Sequence, residues 1–412
     1  MGNLIDSAMR DAGAAPSIML GESYPEIRQG VRSLCAEFPG EYWRVKDRER
    51  DYPAEFVAAL TEAGYLAALI PETYGGSGLP IGAAVAILEE IHRSGCNGAA
   101  CHAQMYIMGT VLRHGSTEQK QRYLPRIASG ELRLQAFGVT EPNTGSDTTQ
   151  LRTMAVRDGD TYVVNGQKIW TSSAHIADWI FCLVRSEPEA PKHQGISFLL
   201  FEMNTPGIEI RPLVDMTGNA NFNEVFFTDV RVPKHQIVGQ RGQGWKVANA
   251  ILGHERGSLA PPDAANSRLN GVIRLMQQET IDGQRIIDNP VFRDRLMKLQ
   301  GQVMAMQYND MRLLSSRINK NQDTKLAGMV VKLIGTELRH EIEGLAIDVM
   351  GEIGLSYGDN PYIRGNGSWQ HQYMFYLGLI IGGGTSQIQK NIISERGLGM
   401  PKEPKIETKR GA

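Results

Sequence analysis

FGVTEPNTGSD, residues 137–147, is where the chain changes character. Upstream the apolar residues recur with a helical period, and downstream they fall in short β-rich runs. The stretch itself reads as a strand entering a turn-rich loop of Thr, Asn, Gly and Ser. Such a loop can offer several N–H and hydroxyl donors to a planar heteroaromatic ligand. Standing alone it would read as an ordinary capped turn.

Working outward on the N-terminal side, PAEFVAALTEAGYLAAL and IGAAVAILEEIHRS carry apolar residues three and four apart and predict helices. HGSTEQKQRYLPRI has Gln119 three residues after Ser116, a capping-box pattern. The glycine cluster at 74–78 predicts a loop between helices. On the other side, TYVVNGQKIWTSSA, DWIFCLVRS, GISFLLFEM and EVFFTDVRVP predict strands, with Asn165-Gly166 as a hairpin turn. Pro233 and the loop GQRGQGW close this block. The helical period then returns and holds from about residue 246 to 393, with Asn289-Pro290 as cap and first helical residue. Methionines in these long stretches read as core packing. The predicted fold class is α+β: a flexible segment 1–22, a helical domain 23–133, a middle β-barrel or sandwich 134–245, a helical bundle 246–400 and a tail 401–412.

Composition narrows the function. The chain has 412 residues, with 43 Lys and Arg against 45 Asp and Glu, a net charge of −2 and no long run of one sign. That leaves no electrostatic footprint for nucleic acid or an anionic membrane. Cys35, Cys96, Cys101 and Cys182 form no CxxC, which predicts reduced thiols in the cytoplasm. No basic-then-apolar leader and no apolar run of about 18 residues is present, so neither export nor a bilayer span is expected. His92, His102, His114, His175 and His371 are scattered without metal-ligand spacing, so no metal is expected. No GxGxxG opens a helix after a strand.

Three separated motifs, residues 137–147, NGQKIWTSSA and GTSQIQ, together resemble the acyl-CoA dehydrogenase superfamily, and the resemblance runs from about residue 24 to 400. It implies a helical domain, a β-domain and a C-terminal four-helix bundle. It also implies FAD between the latter two, usually in a homotetramer or homodimer, with electrons passing to an electron-transferring flavoprotein. Phe137, Val139 and Thr140 would lie beside the isoalloxazine, Trp170 would cover its edge, and Thr171 and Ser172 would follow near N5. Ser146 would contact the CoA part. Thr385, Ser386 and Gln387 match the segment that meets the adenosine and pyrophosphate. Arg285 and Gly351 match further cofactor positions.

IIGGGTSQIQ places Gly383 where much of the family has the glutamate that removes the substrate α-proton. Such a C–H is weakly acidic, so a carboxylate must come from elsewhere. Branches resembling the isovaleryl- and long-chain-type enzymes take it from an earlier helix, one residue before an arginine. ILGHERGSL has Glu255-Arg256 at that point, which makes Glu255 the candidate base and Arg256 the holder of the substrate nucleotide. Gly383 would present its N–H to the thioester carbonyl, and Gly382 and Gly384 would widen the cavity for a branched or ring-bearing acyl group.

Two features depart from the pattern. Arg285 lacks the usual Phe-Gly after it, and Glu352 stands in MGEIG where a glycine is common. The expected reaction is α,β-dehydrogenation of an acyl-CoA to the trans-2-enoyl-CoA. The alternatives are a flavin-dependent oxidase, monooxygenase or lyase on a functionalised acyl-CoA, and a partner subunit of a heteromeric dehydrogenase. Glu279, Glu337, Glu341 and Glu343 read as surface or helix–helix salt bridges.

Overall fold

Strand β4, Trp179–Arg185, is apolar almost without break because both of its faces are covered. Trp179, Phe181 and Leu183 pack with the helical residues Met108, Val111, Tyr123, Leu124 and Ile127. Ile180, Cys182 and Val184 point the other way, into a core with Leu199, Phe201, Val225 and Phe227. The computed structural model describes residues 23–49, 51–98, 108–132, 134–249, 251, 262–319, 324–358 and 361–402. They fall into two compact units, one inside Ile18–Ser258 and one inside Leu259–Ala412.

The first unit begins with helices α1 (Pro25–Ala36), α2 (Gly40–Glu49), α3 (Ala54–Glu62), α4 (Ile81–Arg93), α5 (Met108–His114) and α6 (Thr117–Ala128). Helices α1 and α4 are joined by Arg28, which donates to Glu89 at 2.6 Å and Glu90 at 3.0 Å. The capping box at α6 forms: Ser116 Oγ accepts from the Gln119 N–H, and Gln119 Oε1 accepts from the Ser116 N–H. The Gln119 amide also donates to the carbonyls of His235 and Ile237, each at 2.9 Å, so one cap anchors the helix to the end of the β-domain.

The sheet has seven strands: β1 (Leu134–Gly138), β2 (Met154–Asp158), β3 (Thr161–Ser172), β4, β5 (Ile196–Glu202), β6 (Ile208–Leu213) and β7 (Phe222–Pro233). Their order is β1-β4-β2-β3-β7-β6, with β5 also on β4. Asn165-Gly166 is not a hairpin turn: β3 runs straight through it, and the β2–β3 turn lies at Gly159-Asp160. Opposite Asn165 the β3–β7 register slips, and the Asn165 amide closes that bulge by pairing with Asp229. Gly166, at φ 150°, is where the chain passes Thr153 so closely that a Cβ would stand 2.7 Å from its Cα.

The second unit holds four packed helices, α7 (Pro262–Gln278), α8 (Pro290–Asn319), α9 (Lys325–Met350) and α10 (Ser368–Ile381), followed by the short α11 (Ser386–Ile392). Leu269, Val272, Leu296, Val303, Leu338 and Ile342 belong to their common core. Asn289 caps α8, its Oδ1 accepting from the Val291 N–H at 2.9 Å. Buried Glu343 on α9 accepts from Nε and Nη2 of Arg268 on α7 at 2.7 and 2.6 Å, a helix–helix pair as expected. The helical period does not hold throughout. A two-residue hairpin, Thr280–Ile281 against Gln284–Arg285, turns at Asp282-Gly283, which has both φ values positive, the chemistry of a tight hairpin turn.

Candidate active site

The loop after β1 is fixed from below by a buried ion pair. Lys168, fully buried on β3, donates to Glu141 Oε1 at 2.8 Å and to the Val139 carbonyl at 3.3 Å. Glu141 also accepts from the N–H of Arg152 and from the N–H and hydroxyl of Thr153, so its carboxylate is saturated. Burial pushes the Glu141 carboxyl up, but the Lys168 charge and these hydrogen bonds outweigh it and hold it below the ordinary carboxylate value. Gly138 passes above the lysine stem; a Cβ there would stand 3.1 Å from Lys168 Cγ and 3.4 Å from Cys182 Sγ. Burial pushes that Cys182 thiol up to about 12. The Ile169 N–H reaches the Thr140 carbonyl at 2.9 Å, which sets Thr140 beside Trp170. Further along, Glu141 and Thr144 exchange backbone hydrogen bonds and Asp147 accepts from Thr149 and Gln150.

Trp170 lies in a second bulge of β3 and takes a left-handed φ of 59°. Its indole is 53% exposed and meets Phe222 edge-on with ring centroids 5.8 Å apart. A large aromatic held outward at an uncommon backbone angle suggests a ligand that covers it. Phe137, Val139 and Thr140 are half-buried and Ser146 and Ser172 exposed. Thr171 faces inward, fully buried; among the described residues its hydroxyl has no hydrogen-bond partner, and neither has Asn223 Oδ1 on the strand opposite.

In the second unit, α10 stops at the glycine run. Gly382 has φ −63°, but Gly383 and Gly384 have φ 65° and 96°, which only glycine adopts freely. Gln389, buried on α11, donates to the Gly383 carbonyl at 2.9 Å. Lys332 of α9, 1% exposed, donates to the carbonyls of Ile380 at 2.7 Å and Gly384 at 2.6 Å. Thr385 caps α11 through Ile388, and the Ser386 hydroxyl donates to Glu337 at 2.7 Å. Both side chains are thus committed within the protein, while Gln387 is exposed. Gly351 follows α9 with φ 57° and open space where a Cβ would be. Arg285 is exposed and paired with Asp288 at 3.0 Å. Glu255 and Arg256 lie outside the described residues.

Sequence reading brought out the site motifs but missed Glu141, Lys168, Lys332 and Gln389, the side chains that hold them. A signal existed for two of them. Lys168 occupies an inward position of an alternating strand, and Lys332 interrupts the apolar run MVVKLIG. Among the described residues no group of His, Cys, Asp or Glu could hold a metal ion, and no helix is long and apolar enough to cross a membrane.

The order of helices, sheet and helices is matched in known proteins. Residues 22–131, 136–230 and 242–398 match the N-terminal, middle and C-terminal domains of acyl-CoA dehydrogenase. The chain is 36% identical to acyl-CoA dehydrogenase IpdE1 of Mycobacterium tuberculosis (strain ATCC 25618 / H37Rv), over 92% of this chain and 98% of that one. Among solved structures, the ChsE4-ChsE5 complex from Mycobacterium tuberculosis is similar at TM-score 0.81 and 31% identity, covering 93% of this chain and 100% of that one. The Tcur3481-Tcur3483 steroid ACAD is similar at TM-score 0.80 and 27% identity, covering 92% and 97%. The chain belongs to the acyl-CoA dehydrogenase family, whose members are FAD-dependent oxidoreductases acting on acyl-CoA. The outward Trp170 and the half-buried edge of Phe137, Val139 and Thr140 suit a flat ring system of that kind.

Proposed function

We propose that the chain carries out α,β-dehydrogenation of an acyl-CoA thioester to the trans-2-enoyl-CoA, with Glu255 removing the α-proton. The observation that carries this reading is the side-chain-free turn at Gly382, Gly383 and Gly384. It leaves no carboxylate at Gly383, and other acids of the bundle are already engaged: Glu337 by Ser386, Glu343 by Arg268 and Glu279 by Arg364. Glu255, one residue before Arg256 as in the branches that draw the base from an earlier helix, is the acid assigned to that step.

Bound FAD supplies the acceptor for the β-hydride. Phe137, Val139, Thr140, Trp170, Thr171 and Ser172 would hold it, and the family pattern adds Arg285, Gly351, Thr385, Ser386 and Gln387. Ser146 and Arg256 would bind the CoA part. The Gly383 N–H, its carbonyl being fixed by Gln389, would donate to the thioester oxygen and stabilise the enolate-like charge that forms as Glu255 takes the proton. The bare turn suits a branched or ring-bearing acyl group, and the similarity to a steroid ACAD supports that choice. An electron-transferring flavoprotein in the cytoplasm would collect the electrons from a homotetramer or homodimer. A second reading, a subunit of a heteromeric dehydrogenase, is supported by the similarity to the ChsE4-ChsE5 complex.

The test is anaerobic bleaching of the flavin by a panel of linear, branched and ring-bearing acyl-CoAs. Bulky thioesters should bleach it fastest, and Glu255→Gln should slow bleaching by about 10²–10⁴-fold with FAD content unchanged. No bleaching by any thioester, or an unimpaired Glu255→Gln, overturns the reading.

A further inference from the structure

Three successive glycines cannot hold their own turn, because each has wide conformational freedom and no side chain to pack. Yet the turn after α10 is held at three points. Gln389 takes the middle carbonyl, that of Gly383. Lys332 takes the two outer ones, of Ile380 and Gly384, with a single ammonium. We propose that Lys332 is a positioning residue for the dehydrogenation: its buried ammonium clamps both ends of the glycine turn and so aims the Gly383 N–H. The inference rests on the role given to that N–H above.

Burying an ammonium is costly, and a neutral side chain could have donated to a carbonyl. The charge therefore has a use of its own. At 1% exposure it is little screened by water, and through the Ile380 and Gly384 carbonyls it lies against the turn at which negative charge would develop on the thioester oxygen. Clamping also removes the entropy a free glycine loop would lose when it binds the carbonyl. Lys332 touches neither substrate nor cofactor in this scheme; it acts through the backbone of residues 380–384.

The experiment uses the full-length, FAD-loaded protein with Lys332→Met, Lys332→Gln and Lys332→Arg. Two quantities are read: the bleaching rate at saturating acyl-CoA beside its KM, and hydrogen–deuterium exchange of the peptide covering residues 378–388 without substrate. Lys332→Met should lose about a hundredfold in the saturating rate with little change in KM. Its exchange should rise within that peptide and not along α8. Lys332→Gln, which keeps a donor and lacks the charge, should fall between, and Lys332→Arg should restore most of the rate. Should Lys332→Met fail to fold, the Gln and Arg pair decides the matter by the same two readings. A Met or Gln variant within about twofold of the parent rate, or an Arg variant as poor as Gln, overturns the proposal. If no thioester bleaches the parent protein, the dehydrogenase reading falls separately. The exchange data then still decide whether Lys332 holds the turn.

Discussion

Trp170 spends conformational energy to face outward. A non-glycine residue at φ 59° costs on the order of 1–3 kcal/mol. Asn occupies that region more comfortably. Trp170→Asn should therefore leave the melting temperature of the FAD-free protein unchanged or raised, while FAD is lost more readily on dilution. Unaltered FAD retention would sink the idea that the indole covers the flavin. The glycine run separates in the same way. Gly384→Ala meets both φ 96° and Gln389 Nε2 at 2.7 Å from the new Cβ, and should cost about 1–3 kcal/mol by denaturant unfolding. Gly382→Ala, at φ −63°, should stay within about 0.5 kcal/mol. The run itself was legible in the sequence. Which of its members needed a left-handed backbone was not, since that depends on how α11 restarts. Asn165-Gly166 shows the opposite error: a local turn signal was overridden by two neighbouring strands and a close pass beside Thr153.

At the scale of elements, the β1 loop and strand β3 stand or fall with Glu141 and Lys168. Removing one partner of a buried pair typically costs about 3–5 kcal/mol, so Glu141→Gln should lower stability by that order and loosen the loop after β1. Because the Glu141 carboxyl is held below its ordinary value of 4.5, its contribution is complete above that pH. It is lost as the pH falls through the lowered value. Acid unfolding of the parent should accordingly steepen below about pH 4.5, and Glu141→Gln should flatten that limb. An unchanged acid limb in the variant would count against the pair. Helix caps and the long alternating strands were readable because their signals are local. The edge strand β6, with Pro212 and half its residues exposed, and the short β2 carried too little pattern to stand out. Lys168 and Lys332 were passed over because their inward positions are visible in the sequence but the distant carbonyls and carboxylate that receive them are not.

For the whole molecule, the family was legible because three motifs far apart in the chain had to agree in order. Substrate was not, because acyl selectivity depends on cavity shape. The chain carries both the loop proposed to hold the flavin and the proposed base. Expressed alone, it should assemble from identical copies and carry one FAD per chain, as read by light scattering and flavin absorbance. Half-loading, corrected by a second unlike chain, would favour the heteromeric reading. A last consequence follows from Cys182. The enoyl thioester proposed as product is an electrophile that adds thiolates at its β-carbon. A sulfur walled in beneath Gly138, with its proton retained until about 12, presents no nucleophile to such a compound. At that position the proposed product would find no thiolate to alkylate.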